Sequence, residues 1–191
     1  AFKSGKPWVL DPVGIGIGQL RSDLLLELKQ YKPAIVRGNA SEIIALASLW
    51  GIEANACESS RPRGVDTTDT VEAARDAAAA LARYTGGAVA VSGKKDLVTD
   101  GEKVAYSEGG SELMEKVTGF GCSQGGVLAV YATATNPFTA ALAAVAHYNV
   151  AGSRAAKVAD APASFKTAFI DELYRATARD IADNPFSVEE A

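Results

Sequence analysis

Two short apolar runs, Trp8-Val9-Leu10 and Ala34-Ile35-Val36, flank a segment in which Leu24, Leu25 and Leu28 recur at helical spacing. This strand, helix, strand order restricts the chain to an α/β sheet. The first run ends at Asp11-Pro12, which puts a carboxylate at the C-terminal end of a buried strand. Gly14, Gly16 and Gly18 form a flexible loop, and residues 22–30 form the connecting helix. Residues 39–50 and 69–84 read as two further helices, the second alanine-rich and ended by Gly86-Gly87. Residues 57–65 carry Ser, Arg, Pro and Gly without periodicity and read as a loop.

Residues 88–92, 97–100 and 103–106 read as strands joined by Gly93-Lys94-Lys95 and Asp100-Gly101-Glu102, turn chemistry that adds an antiparallel stretch to the parallel sheet. From Ser123 onward the pattern is mostly helical, and Asn136-Pro137 supplies the cap and first residue of the helix that holds His147. A last helix is expected over 164–180, with a loose tail after Asn184. In such folds ligands sit beyond the carboxyl ends of the strands, where Asp11, Arg37 and Ser92 fall.

The 191 residues, 48% of them hydrophobic, fit one compact domain. The formal charge is -4 and Lys and Arg form no cluster, which argues against a nucleic-acid partner. Cys57 and Cys122 are too few for a disulfide framework and lack zinc-site spacing, so a reducing cytoplasm is expected. No apolar run approaches the roughly 18 residues of a membrane span.

Thr118-Gly119-Phe120-Gly121-Cys122 stands directly before a helix of small and apolar residues. Its glycines let backbone N–H groups converge at a helix N-terminus, an arrangement that binds anions and stabilises a phosphoryl group in transfer; the alternative is a tight turn that needs glycine for its backbone alone. Cys122 sits where the helix dipole favours a thiolate and would accept a proton from a substrate hydroxyl, or else packs as a small buried residue under the loop. Asn39-Ala40-Ser41-Glu42 has capping-box spacing. Its functional reading puts Glu42, with Asp11, near a magnesium ion bridging ATP phosphates, and lets Arg37 clamp phosphate oxygens. The Ser92 hydroxyl bonds a phosphate or caps its turn with Lys94 and Asp96. His147 has no candidate orienting group and reads as a surface or packing residue without a catalytic role.

Taken together, Val9-Leu10-Asp11-Pro12-Val13-Gly14, Arg37-Gly38-Asn39-Ala40-Ser41-Glu42-Ile43, Gly64-Val65-Asp66, Ala90-Val91-Ser92-Gly93 with Asp96, Val98-Thr99-Asp100-Gly101 and Val117-Thr118-Gly119-Phe120-Gly121-Cys122 resemble the hydroxyethylthiazole kinase family in order and spacing. The resemblance extends over nearly the whole chain. It implies a ribokinase-like three-layer α/β/α fold with a mostly parallel central sheet and an antiparallel edge, arranged as a trimer with active sites at subunit contacts. It also implies transfer of the ATP γ-phosphate, with Mg2+, to 4-methyl-5-(2-hydroxyethyl)thiazole in thiamine biosynthesis or salvage. By the same resemblance Asp11 and Glu42 serve the metal and phosphate, Arg37, Asn39 and Ser92 the nucleotide, Gly119 and Gly121 the anion hole, and Cys122 the place of the base.

Three departures from the family pattern stand out. Its segment before the Leu-Asp-Pro-Val strand is absent, so the expectation is a single kinase domain, residues 1–191, without its N-terminal strands. Phe120 stands where the family usually has Thr, so a ring is expected to crowd the phosphate; Ser92, commonly Thr in relatives, keeps its hydroxyl. The competing expectations are a non-catalytic nucleotide-binding subunit of the same fold and another ribokinase-like kinase, such as hydroxymethylpyrimidine kinase.

Overall fold

The computed structural model describes residues 1–52 and 71–191; Cys57, Gly64-Val65-Asp66 and the start of the helix expected from residue 69 lie outside these. Strands β1 (Val9–Leu10), β2 (Ile35–Asn39), β3 (Ala88–Ser92), β4 (Asp96–Thr99), β5 (Lys103–Ser107) and β6 (Phe186–Glu190) form one sheet in the order β1-β2-β3-β4-β5-β6. β1, β2 and β3 run parallel, while β3, β4, β5 and β6 pair antiparallel. The expected antiparallel edge is therefore a full half of the sheet among the described residues, because tight turns after β3 and β4 return the chain beside itself.

Alternation along the strands sorts the core into two layers. Leu10, Val36, Val89, Val91 and Leu97 face α1 (Gln19–Leu28), α2 (Ala40–Leu49) and α3 (Arg75–Thr85), meeting Leu25, Ile43, Leu46 and Leu81. Ile35, Ala88, Ala90 and Val98 face the other way, against Leu128 and Ala132 of α4 (Phe120–Ala132) and Ala140, Ala141 and Ala144 of α5 (Pro137–Ala155). Alanine on both sides of that second seam lets α5 lie close on the sheet.

Local signals set most boundaries. Asn39 and Glu42 form a capping box for α2, Gly86 ends α3 with φ 72°, and Asn136 caps α5 by accepting from Thr139 N–H at 3.0 Å, with Pro137 beside it. The helix expected over 164–180 is two helices, α6 (Pro162–Arg175) and α7 (Ala178–Ala182). The chain turns extended at Ala176, and Thr177 starts a new capping box with Asp180. The expected loose tail is instead β6, whose backbone pairs with β5 from Lys103↔Glu190 to Ser107↔Phe186. All five of its residues are exposed, so apolar patterning gives it no signal. No described helix is long and apolar enough to cross a membrane.

Candidate functional site

The site is built around Arg37. In β2 this residue lies two positions after Ile35 and shares its face, so the side chain runs beneath α4. The side chain is only 7% exposed. Nη1 donates to Asp11 Oδ2 at 3.1 Å, Nη2 to Ser92 Oγ at 3.0 Å, and Nε to Gln124 Oε1 at 3.2 Å. These acceptors come from the loop after β1, the end of β3 and the second turn of α4. A buried guanidinium is tolerable because it is both charge-paired and hydrogen-bonded.

Directly above it lies the start of α4. Gly119 takes the left-handed conformation at φ 88°, and the space a side chain would fill there is open. At Gly121 the need is different: a Cβ would stand 2.6 Å from Arg37 Nη2 and 3.0 Å from Nη1. Ser123 N–H bonds back to Gly119 O at 2.9 Å, whereas the N–H groups of Gly121 and Cys122 find no acceptor among the described residues. Helix N-terminal donors backed by a buried cation form an anion-seeking surface. The Cys122 thiol is free and exposed in the same first turn.

Phe120 does not crowd this surface. Its ring is buried 4.5 Å from Phe169 and 5.8 Å from Phe165, centroid to centroid, and so fastens α4 to α6. The expected clash is overturned because an apolar ring gains more from that cluster than from facing solvent. Ser123 Oγ donates to Phe120 O at 2.8 Å and lies 2.7 Å from the Tyr148 hydroxyl, a second anchor on α5. Burial pushes the Tyr148 phenol up, while Ser123 and the positive Arg37 pull it back.

Glu42 has structural work: one carboxylate oxygen accepts from Asn39 N–H at 2.9 Å and the other from Gly14 N–H at 3.2 Å. It thereby ties the loop after Asp11 to the start of α2. Asn39 Oδ1 accepts from Glu42 N–H at 2.9 Å and from Ser41 Oγ at 2.8 Å. Asp11 differs, since Oδ2 is bonded to Arg37 while Oδ1 is buried without a partner among the described residues. No group of three or more His, Cys, Asp or Glu is assembled among the described residues; magnesium needs only one or two carboxylates when phosphates supply the rest. Asp11 fits that donor set, and Glu42 has lone pairs left for a metal-bound water.

Asp96 is buried at the tip between β3 and β4, accepting from Gly93 N–H at 3.0 Å and Asn149 Nδ2 at 3.0 Å. Desolvation pushes its carboxyl up to about 6, against the pull of those two donors and of Arg37. Asn149 also donates to Ser107 Oγ at 3.1 Å, which Asn184 approaches at the same distance. His147 has the orienting partners that sequence reading did not find: Nε2 donates to Leu173 O at 2.8 Å, and Nδ1 lies 3.1 Å from the Tyr131 hydroxyl. It joins α4, α5 and α6 as a packing residue. A cavity of ≈ 260 Å³ lined by Arg75, Asp76, Ala79, Arg83 and Ala191 lies toward the far end of β3 from Ser92 and shares none of these residues.

Gln124, Tyr148 and Asn149 escaped the sequence reading. Gln124 alone had a usable signal, a polar residue three positions after Gly121 on a helix face that is otherwise small or apolar.

A mixed sheet with helices on both faces, and a glycine-rich helix start above its carboxyl ends, defines a ribokinase-like α/β protein. The staphylococcal pyridoxal kinase structure with AMP-PCP shares this fold, with TM-score 0.60 and 17% identity over 97% of this chain and 63% of that one. A hydroxyethylthiazole kinase structure from Pyrococcus horikoshii OT3 superposes with TM-score 0.81 at 31% identity, covering 99% of this chain and 67% of that one. Hydroxyethylthiazole kinase of Bifidobacterium longum strain DJO10A is 46% identical across 96% of this chain. That of Corynebacterium glutamicum strain R is 44% identical across 95%. Residues 1–179 match the hydroxyethylthiazole kinase family, and the chain belongs to it. It spans 64% and 66% of the length of those two curated relatives.

Proposed function

We propose that the protein containing this chain transfers the γ-phosphoryl group of ATP to the hydroxyl of 4-methyl-5-(2-hydroxyethyl)thiazole, in thiamine biosynthesis or salvage. The observation that carries the proposal most directly is the Arg37 guanidinium lodged under Gly121, with the N–H groups of Gly121 and Cys122 left without an acceptor among the described residues. Phosphoryl transfer demands positioning and charge stabilisation more than covalent chemistry from the protein. In this reading Gly119, Gly121 and Cys122 supply backbone donors to the transferring phosphoryl oxygens. Arg37 adds positive charge from below, Ser92 holds a nucleotide phosphate, and Asn39 keeps the end of β2 in place for it. The Cys122 sulfur accepts the proton of the attacking hydroxyl.

Asp11, and Glu42 through a water, would hold Mg2+, which when bound neutralises charge on the phosphate oxygens. The buried Oδ1 of Asp11 supports that assignment. Assembly as a homotrimer in the cytoplasm completes the reading.

The test is ATP-dependent phosphorylation of hydroxyethylthiazole by the full-length protein, with ATP binding followed by calorimetry with and without magnesium. Turnover that requires magnesium supports the proposal, and sedimentation of the same sample checks the trimer. ATP binding without turnover on this alcohol would move the reading to a non-catalytic nucleotide-binding subunit or to a ribokinase-like kinase for another alcohol.

A further inference from the structure

Every acceptor that holds Arg37 has a role in the proposed chemistry except Gln124, and Gln124 differs from the others in kind. Asp11 and Ser92 bond the two terminal nitrogens, the same two that lie beneath Gly121. A phosphate oxygen arriving at the Gly121 and Cys122 N–H groups would compete with Asp11 and Ser92 for those nitrogens. Nε is not among the atoms closest to Gly121, and Gln124 holds it. Gln124 is itself buried and lies one helical turn below Gly121 on the same face of α4. The guanidinium is therefore laid along α4, its fork under the helix start and its root fastened to the next turn.

The acceptor is an amide, and the charge consequence follows from that. A carboxylate here would make a second ion pair, leaving Arg37 flanked by two negative groups with little net positive charge for a phosphate. A neutral oxygen fixes the angle of the guanidinium without cancelling its charge.

We infer that Gln124 is a positioning residue for nucleotide binding, the neutral pivot that keeps Arg37 aimed at the phosphate while Asp11 and Ser92 exchange with it. This rests on the kinase reading above.

The experiment compares full-length wild type, Gln124→Met and Gln124→Glu in ATP binding by calorimetry, in KM for ATP and for the thiazole alcohol, and in thermal unfolding. Methionine keeps length and removes the acceptor; glutamate keeps the acceptor and adds charge. Both variants are expected to weaken ATP binding about tenfold or more with KM for the alcohol unchanged, Gln124→Met by loss of one charge-assisted hydrogen bond and Gln124→Glu by pairing away the Arg37 charge. Gln124→Glu is expected to do so while unfolding at or above the wild-type temperature, which a merely structural glutamine would not produce. Wild-type ATP affinity in Gln124→Glu, or equal rises in both KM values, would overturn the inference. No ATP binding by wild type would overturn the kinase reading and this inference with it.

Discussion

Gly121→Ala places one methyl carbon where the Arg37 guanidinium already sits, 2.6 Å from Nη2 and 3.0 Å from Nη1. Alanine would otherwise help, since it is up to about 1 kcal/mol better than glycine inside a helix. Against that gain, the guanidinium cannot swing aside freely, because its nitrogens are held by Asp11, Ser92 and Gln124 on three different elements. Making room breaks at least one of these bonds, a loss of about 1.5–3 kcal/mol for a charged donor. Alternatively the start of α4 lifts, at an overpacking cost of about 1–3 kcal/mol. The net expectation is a destabilisation of up to about 2 kcal/mol, which in a chain of this size lowers Tm by up to about 8 °C. ATP affinity should fall further than stability alone implies, because on the proposed function the displaced groups are the ones that bind the phosphate. Urea unfolding and ATP calorimetry on the same preparation read both quantities. A variant that is more stable than wild type and binds ATP equally well would refute the close approach of Arg37 to α4.

Three further expectations follow from neighbouring contacts. Cys122→Ala should lower kcat by about 10²–10⁴, the usual span for a lost proton acceptor, with ATP binding retained; full activity in steady-state assays would remove Cys122 from the proton transfer. Asp96 has a folded-state value of about 6 against an ordinary 3.8, so its stability contribution is complete below the ordinary value and is lost as pH rises through about 6. That amounts to at most about 3 kcal/mol of pH-dependent stability, and Asp96→Asn should flatten this part of the curve between about pH 4 and about pH 7. An unchanged slope in denaturant titrations would show that another group sets it. Phe169→Ala should cost about 3–5 kcal/mol by opening the cluster around Phe120, and should raise KM for ATP as α4 loosens; a shift in melting without any change in KM would separate the cluster from the site.

What the sequence disclosed and what it withheld divide by range. The β1 to β2 unit, the Asn39–Glu42 box and the Asn136-Pro137 cap each rest on residues a few positions apart, and all were legible. So were Asp11 and Ser92 as strand-end residues, because alternation locates where strands stop, whereas Arg37, expected at such an end, stands in the middle of β2, which runs on to Asn39. Gln124 lies 87 residues from the Arg37 that it holds, and no local pattern encodes that pairing. Phe120 was misjudged for the same reason: Phe165 and Phe169, which draw its ring inward, belong to α6. β6 escaped because its pairing with β5 is made by backbone groups common to all residues, while the division between α6 and α7 turns on one threonine and its aspartate.

The three segments that grip Arg37 lie 26, 55 and 87 residues away along the chain. The full set of three contacts needs β1, β2, β3 and α4 all in place. Asp11 and Ser92 can reach Arg37 once β1, β2 and β3 pair, but Gln124 and the cover over the guanidinium come only with α4. On the proposed function, phosphate affinity would be complete only once α4 is docked, and its appearance during refolding would time that step.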